Sequence, residues 1–320
     1  MNNKLTSQEA YSHYNNNSIT LELLYKAFRE YGIPNPTHIK NSGFTRWGKN
    51  DRYWLTPYRE GYCFGDFVDD FKSCVFPKHW YNNQRNWNKI PQDIDKIVQA
   101  QKLEDEEHEK IACFASQIWE RAKPCEDHPY LQKKGIKSYS LKVSDDGRLI
   151  IPLFAYDNKI STLQYINADG EKRFLKGEKK QGSFYPIGEL QNRILFCEGY
   201  ATGCSIYEAT NELTICCLDA GNLIHVAEKF RDYYPNIEMI ICADNDSYKE
   251  KNVGIEEAKE TGLTVNAVVV FPVFKDTTTN PTDFNDLHGL EGIEAVRKQI
   301  IPAFENGGNY NGNGGNCSAE

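Results

Sequence analysis

Residues 193–246 read RILFCEGYATGCSIYEATNELTICCLDAGNLIHVAEKFRDYYPNIEMIICADND. Two kinds of segment alternate in this stretch. RILFC, TICCLD and IEMIICA are short apolar runs. They lack the in–out alternation of a half-solvated strand and so predict strands buried on both faces. Between them, Thr202–Asn211 and Asn222–Tyr234 carry helical spacing. The pattern continues with a helix over Asn252–Thr261, a strand in TVNAVVV and a helix over Gly292–Ile300. Strand–helix alternation at this interval predicts an α/β unit, a parallel sheet with crossover helices.

Open sheets of this kind bind ligands at the carboxyl ends of their strands. Glu198 follows RILFC there, and Asp244 and Asp246 follow IEMIICA. If the first and third strands are neighbours, the three acids converge. A cluster of carboxylates without basic partners repels itself and calls for a cation. Hard oxygen donors select Mg²⁺ or Mn²⁺, and such ions keep open positions for phosphate oxygens. That chemistry suits phosphoryl or nucleotidyl transfer. Asp219, which ends TICCLD, is either a further metal group or a cap for the helix at Asn222. Asn222 itself reads as a helix cap. Gly199 and Gly203 flank a strand-to-helix turn, where small residues let phosphate approach a helix N-terminus; turn geometry explains them nearly as well.

Upstream, Lys172, Arg173, Lys176, Lys179 and Lys180 crowd into nine residues, interleaved with Phe174. The reading is a groove for template or nucleotide phosphates, with Phe174 or Tyr185 stacking a base. An ordinary solvated turn is the alternative. The cluster stands out because the chain carries a formal net charge of -8, which no simple DNA-coating protein shows. LIIPLFAY and ISTLQYI predict strands. Residues 93–123 predict a long helix with Ile111, Phe114, Ala115, Ile118, Trp119 and Ala122 on one stripe.

The 320 residues are 40% hydrophobic, with 19 Tyr and 16 Phe, which predicts folded cores. Residues 38–80 predict a small β-rich module, and the tryptophans of this front part of the chain, Trp47, Trp54, Trp80 and Trp87, read as core. Residues 18–31 predict a helix. Residues 77–91 read as a linker, and the Asn/Gly-rich tail as disordered coil. The start lacks a signal-like apolar region, and no apolar run approaches a membrane span. A cytoplasmic protein is the expectation. Cys216, Cys217 and Cys242 fall in apolar runs and read as reduced core residues. Cys63, Cys74 and His79 are too loosely spaced to predict a metal site.

The stretches CEGYATGCSI, LDAGNL and ICADND together resemble a Toprim domain. More narrowly, they resemble the Toprim primases of satellite phages and conjugative plasmids. HPYLQKKGI, LIIPLFAYDNKISTLQYI and DGEKRFLKGEKKQGSFYPIG resemble that family's N-terminal polymerase subdomain, and NVGIEEA and PTDFNDLH extend the match downstream. CFGDF, at Cys63 to Phe67, more faintly resembles the module that precedes the catalytic core. The resemblance implies this organisation: an N-terminal helical segment (1–36), a degenerate zinc-ribbon-like β module without its ligands (37–90), a helical linker (91–125), the N-terminal subdomain of a primase core (126–190), a Toprim domain (191–304) and the tail (305–320).

By the same resemblance, Glu198 binds metal or acts as general acid and base. Asp244 and Asp246 are metal ligands, with two ions expected and no zinc. Asp283 and Asp286 lie close by as further ligands, or else cap a short helix. The implied activity is template-directed synthesis of short RNA primers on single-stranded DNA from NTPs, in replication of a phage, plasmid or other mobile element. No P-loop follows the core, so a separate replicative helicase or single-strand-binding protein is an implied partner. The alternatives are a Toprim nuclease and a non-catalytic primase-like DNA-binding module.

Overall fold

The computed structural model describes residues 21, 23–36, 39, 43–58, 61–76, 92–177, 180–249 and 252–302. The linker at 77–91, the tail, Trp80, Trp87, His79 and Lys179 lie outside the described residues. The chain divides into two compact units, Met1–Glu104 and Asp105–Glu320. The division falls inside a long helix.

In the first unit, helix α1 (23–30) accompanies a four-stranded antiparallel meander of β1 (Thr45–Trp47), β2 (Tyr53–Tyr58), β3 (Gly61–Asp66) and β4 (Phe71–Val75). Leu24 and Phe28 of α1 pack with Trp47, Leu55, Phe64 and Val75. Trp54 is buried with Tyr58, Ile94 and Val98, so both described tryptophans of this unit are core residues. Gly65 is required where it sits, because a Cβ there would collide with the Phe71 carbonyl and the Trp54 ring. Cys63 and Cys74 stand opposite one another on β3 and β4 and form a disulfide. The spacing of these cysteines gave no such pairing; the antiparallel register creates it.

Helix α2 (Gln92–Arg121) follows the expected 93–123 closely. In the second unit its Ala115, Ile118 and Trp119, with Ala122 just past its end, pack against Ile150, Leu163 and Tyr165. Phe114, placed by periodicity on that stripe, is 56% exposed. It precedes Ala115 by one residue and so lies about 100° round the helix, off the buried face. Next come β5 (Lys123–Pro124), α3 (Pro129–Lys134), β6 (Lys142–Val143), β7 (Leu149–Phe154), β8 (Ile160–Ile166) and β9 (Lys172–Phe174). These five strands form one antiparallel sheet in sequence order.

The second sheet holds β10 (Tyr185–Ile187), β11 (Arg193–Cys197), β12 (Leu213–Cys216), β13 (Glu238–Cys242) and β14 (Val268–Val270), ordered β10-β12-β11-β13-β14. The last four named pair in parallel, and β10 joins the edge antiparallel to β12. The condition set by the sequence is met: β11 and β13 are neighbours. Helices α4 (Tyr200–Thr210), α7 (Phe284–Glu291) and α8 (Ile293–Ile300) cover the face bearing Leu195 and Cys197. Helices α5 (Leu223–Tyr233) and α6 (Val253–Val265) cover the face bearing Ile194 and Phe196. Burial of both faces explains why these strands read as continuous apolar runs. Several boundaries differ from expectation, most of all at the end of the sheet. Helix α6 runs to Val265, ending at Asn266 in the left-handed region, so the strand within TVNAVVV is confined to Val268–Val270. Val265 is buried against the sheet, and that contact holds the helix past Gly262.

Candidate functional site

The register across the sheet aligns Cys216, Cys197 and Cys242 on β12, β11 and β13. All three are buried, and burial pushes their thiols up, so they are neutral core groups. Just beyond that row the chain becomes acidic. Glu198 leaves β11, and Asp244 leaves β13 after Ala243. Together with Glu257 of α6 they line one cavity of about 20 Å³, walled by Leu223, Cys242, Ala243, Gly254 and Ala258.

The electrostatics follow from the crowding. Burial, then Asp283, Glu198 and Asp246, push Asp244 up to about 8. Burial also raises Glu198; Lys172 opposes that, while Asp219, Glu257 and Asp246 add to it. Asp244 Oδ1 is buried with no hydrogen-bond partner. An ionised carboxylate in that position needs a cation. Among the described residues no three or more Asp, Glu, His or Cys side chains are grouped so as to hold a metal ion. The donor type at the strand ends, carboxylate oxygen, is the one hard divalent ions take.

The remaining acids have partners. Asp246 accepts from Lys249 Nζ at 2.7 Å. Asp219 pairs with Lys180 at 2.6 Å. Asp283 caps α7, accepting from the amides of Asn285 at 2.7 Å and Asp286 at 2.8 Å. Burial and the Asp286 charge raise its carboxyl nonetheless. Asp286 accepts from the Thr282 amide at 3.0 Å and lies 3.5 Å from Lys134 Nζ. Asn245, between the two acids of DND, organises the loop. Its amide donates to Thr282 O at 2.7 Å and its side chain to Pro272 O at 2.8 Å, while its Oδ1 accepts from Asn252 at 2.9 Å.

The basic segment divides. Lys172, on β9, bears on the charges of both Glu198 and Asp244. Arg173 is held by Glu171 at 2.6 Å. Lys176 is exposed. Lys180, bridged to Asp219, also lies 5.6 Å from the centre of the Phe174 ring. Tyr185 is buried and donates to Tyr139 O, so it is not presented for stacking.

Two residues act differently from expectation. Asn222 is 3% exposed and makes no side-chain cap. It accepts from the Gly182 amide at 2.6 Å and donates to Ser183 O at 2.8 Å and Cys217 O at 2.9 Å. It thus fastens the end of the basic loop to the exit of β12. Gly203 lies inside α4, where a Cβ would overlap the Cys216 sulfur; it sets helix–sheet distance. Gly199 is the residue before α4, with ordinary extended backbone and Thr202 Oγ1 3.3 Å from where its Cβ would be. Glu257 drew no notice in the sequence because it sits mid-helix among other charges, in GIEEAKE.

Residues 193–294 match the family model described as the Toprim domain. The chain is 35% identical over 167 residues to a DNA primase TraC of Escherichia coli, and 32% identical over 160 residues to a second protein of that name and organism. Those matches cover 48% and 47% of this chain, but only 12% and 15% of the relatives' length. Among solved structures, the DnaG primase catalytic domain bound to single-stranded DNA aligns with a TM-score of 0.44 and 12% identity, covering 62% of this chain and 80% of that one. Residues 193–294 thus form a Toprim domain, and the chain is similar to the two TraC proteins over about half its length.

Proposed function

We propose that this chain is a DNA primase, joining ribonucleotides into short primers on a single-stranded DNA template by metal-dependent nucleotidyl transfer. The observation that carries the reading is the pairing of β11 with β13, which brings Glu198 and Asp244 to one cavity where the Lys172 charge acts on both. The homology to proteins named DNA primase supports it. Glu198 and Asp244, with Asp246 at the rim, hold Mg²⁺ or Mn²⁺. When bound, the ion neutralises phosphate charge and activates the attacking hydroxyl.

The chain's own residues have distinct tasks. Without the ion, Asp244 keeps its proton near neutral pH; with it, the carboxylate is free to ligate. Glu198, raised by burial, is placed to take or return a proton if it does not ligate. Lys172 draws nucleotide or template phosphates toward the acids, and Lys176, which is exposed, adds to that charge. Phe174 offers a ring beside Lys180. Asp219, Asp283 and Asp286 hold loops and helix ends around the site. Gly199 opens the first turn of α4 to phosphate. The setting is replication of a phage, plasmid or other mobile element, with a separate helicase or single-strand-binding protein opening the template. Among the described residues no helix is long and apolar enough to cross a membrane.

The test is primer synthesis on single-stranded DNA with labelled NTPs and Mg²⁺ or Mn²⁺, comparing wild type with Glu198→Gln and Asp244→Asn. Short oligonucleotides that vanish in both variants are the expected result. DNA cleavage without synthesis would move the reading to a nuclease. Template binding without either reaction, with a helicase supplied, would reduce the chain to a binding module.

A further inference from the structure

Strand β8 is covered on both faces, but only one of them is apolar. Leu163 and Tyr165 pack with Ala115 of α2 and Ile150 of β7. Thr162, Gln164 and Ile166 alternate with them and take the other face. Thr162 is 0% exposed and Gln164 2%, yet Thr162 Oγ1 and Gln164 Oε1 have no hydrogen-bond partner. Their cross-strand neighbours are apolar: Thr162 stands opposite Leu153, and Gln164 lies between Ile151 and Phe174. The register also fixes where this face looks. Lys172 stands opposite Ile166 and Phe174 opposite Gln164, so Lys172 and Gln164 are diagonal neighbours on one face. The Lys172 charge acts on Glu198, Asp244 and Cys216. Ile151 and Ile166 of the same face belong to the core that holds Tyr185, Cys197 and Cys216. The two unmet oxygens therefore lie on the face turned toward the strand ends of the second sheet.

A buried polar atom without a partner destabilises a fold, and an apolar side chain of the same shape would remove that cost. Two such atoms, two residues apart on one strand face beside the acids, call for a partner that the chain itself does not contain. Their chemistry narrows the partner. Gln164 Oε1 only accepts, the Thr162 hydroxyl donates and accepts, and neither carries charge. They suit a neutral group that can donate, while Lys172 on the same face answers phosphate. In a nucleotide the neutral polar groups next to the phosphates are the ribose hydroxyls, and the 2′-hydroxyl, both donor and acceptor, is what separates RNA from DNA. We propose that Gln164, with Thr162 beside it, hydrogen-bonds the ribose 2′-hydroxyl of the incoming nucleotide and so selects ribonucleotides over deoxyribonucleotides. A nucleotide lacking that hydroxyl leaves both oxygens unmet, the condition under which such a site rejects an analogue. This rests on the primase reading above and adds to it the residues that choose the sugar.

The experiment compares ATP with dATP for wild type, Gln164→Met and Thr162→Val. Two quantities are read on the full chain with Mg²⁺: the kcat/KM of each nucleotide in primer synthesis, and its binding by equilibrium dialysis. Both substitutions keep the side chain's shape and remove an unmet oxygen, so neither should lower the Tm. Wild type is expected to favour ATP, and Gln164→Met to cut that preference about tenfold or more, with a smaller cut from Thr162→Val. If melting curves show that Gln164→Met fails to fold, Thr162→Val carries the comparison. Primer synthesis with no preference in wild type, or with the preference intact in the variants, would overturn this inference while sparing the primase. ATP bound over dATP, with that preference lost in Gln164→Met but no primer made, would keep the inference and sink the primase reading. A wild type that neither makes primers nor binds nucleotide would overturn both.

Discussion

Replacing Asp244 by Asn in chelated protein separates the charge of the site from its chemistry. In the native state burial and the neighbouring acids push this carboxyl up to about 8, against 3.8 for an ordinary aspartate. Between those values the native chain holds a proton that the unfolded chain has released. Stability contributed by that proton is present below the lower value and is lost as pH rises through the upper one. At about 1.4 kcal/mol per pKa unit, wild type loses about 3 kcal/mol between about pH 4.5 and about pH 7 on this account. Asparagine has no proton to lose. Its unpaired amide carries a cost, but a pH-independent one. The stability of Asp244→Asn relative to wild type should therefore rise by about 3 kcal/mol across that interval, or about 6–12 °C in Tm for a unit of this size. Thermal melts at a series of pH values in chelator measure it. Adding Mg²⁺ should then raise the wild-type Tm at neutral pH by mass action and leave the variant unmoved. Melting curves that run parallel in pH, or a variant that gains from Mg²⁺ as wild type does, would refute the reasoning.

Two further outcomes test the scaffold. Gly203→Ala would stabilise an exposed helix by about 1 kcal/mol. Here the added Cβ meets the Cys216 sulfur, so a loss of about 1–3 kcal/mol in urea unfolding is expected, relieved when Cys216→Ala is combined with it. Asn222→Ala removes three buried hydrogen bonds and should cost about 3–5 kcal/mol; a cost under about 1 kcal/mol would mean the loop at Gly182 finds other partners.

The parts that could be read from the sequence and the parts that could not differ in the range of the interactions behind them. RILFC was legible to the residue as a strand because burial on both faces leaves a local mark, an apolar run ended by an acid and a glycine. The meeting of Glu198 with Asp244 needed one non-local premise, that the first and third strands adjoin, and the parallel register supplies it. The edge strand β10 left no such mark. It is three residues long with a proline at its centre, which an edge position tolerates. Asn222 shows the limit most clearly. Its place just before a helix gives it the sequence signature of a cap. Its side chain turns instead to Gly182, 40 residues away, a partner that no local pattern encodes. Glu257 is the converse case. Within GIEEAKE nothing separates it from Glu256, which is exposed. Only the approach of α6 at Gly254 decides which of the two adjacent glutamates faces the acids. The strand ends thus fix two of the cavity's carboxylates locally, whereas the third depends on how a helix packs.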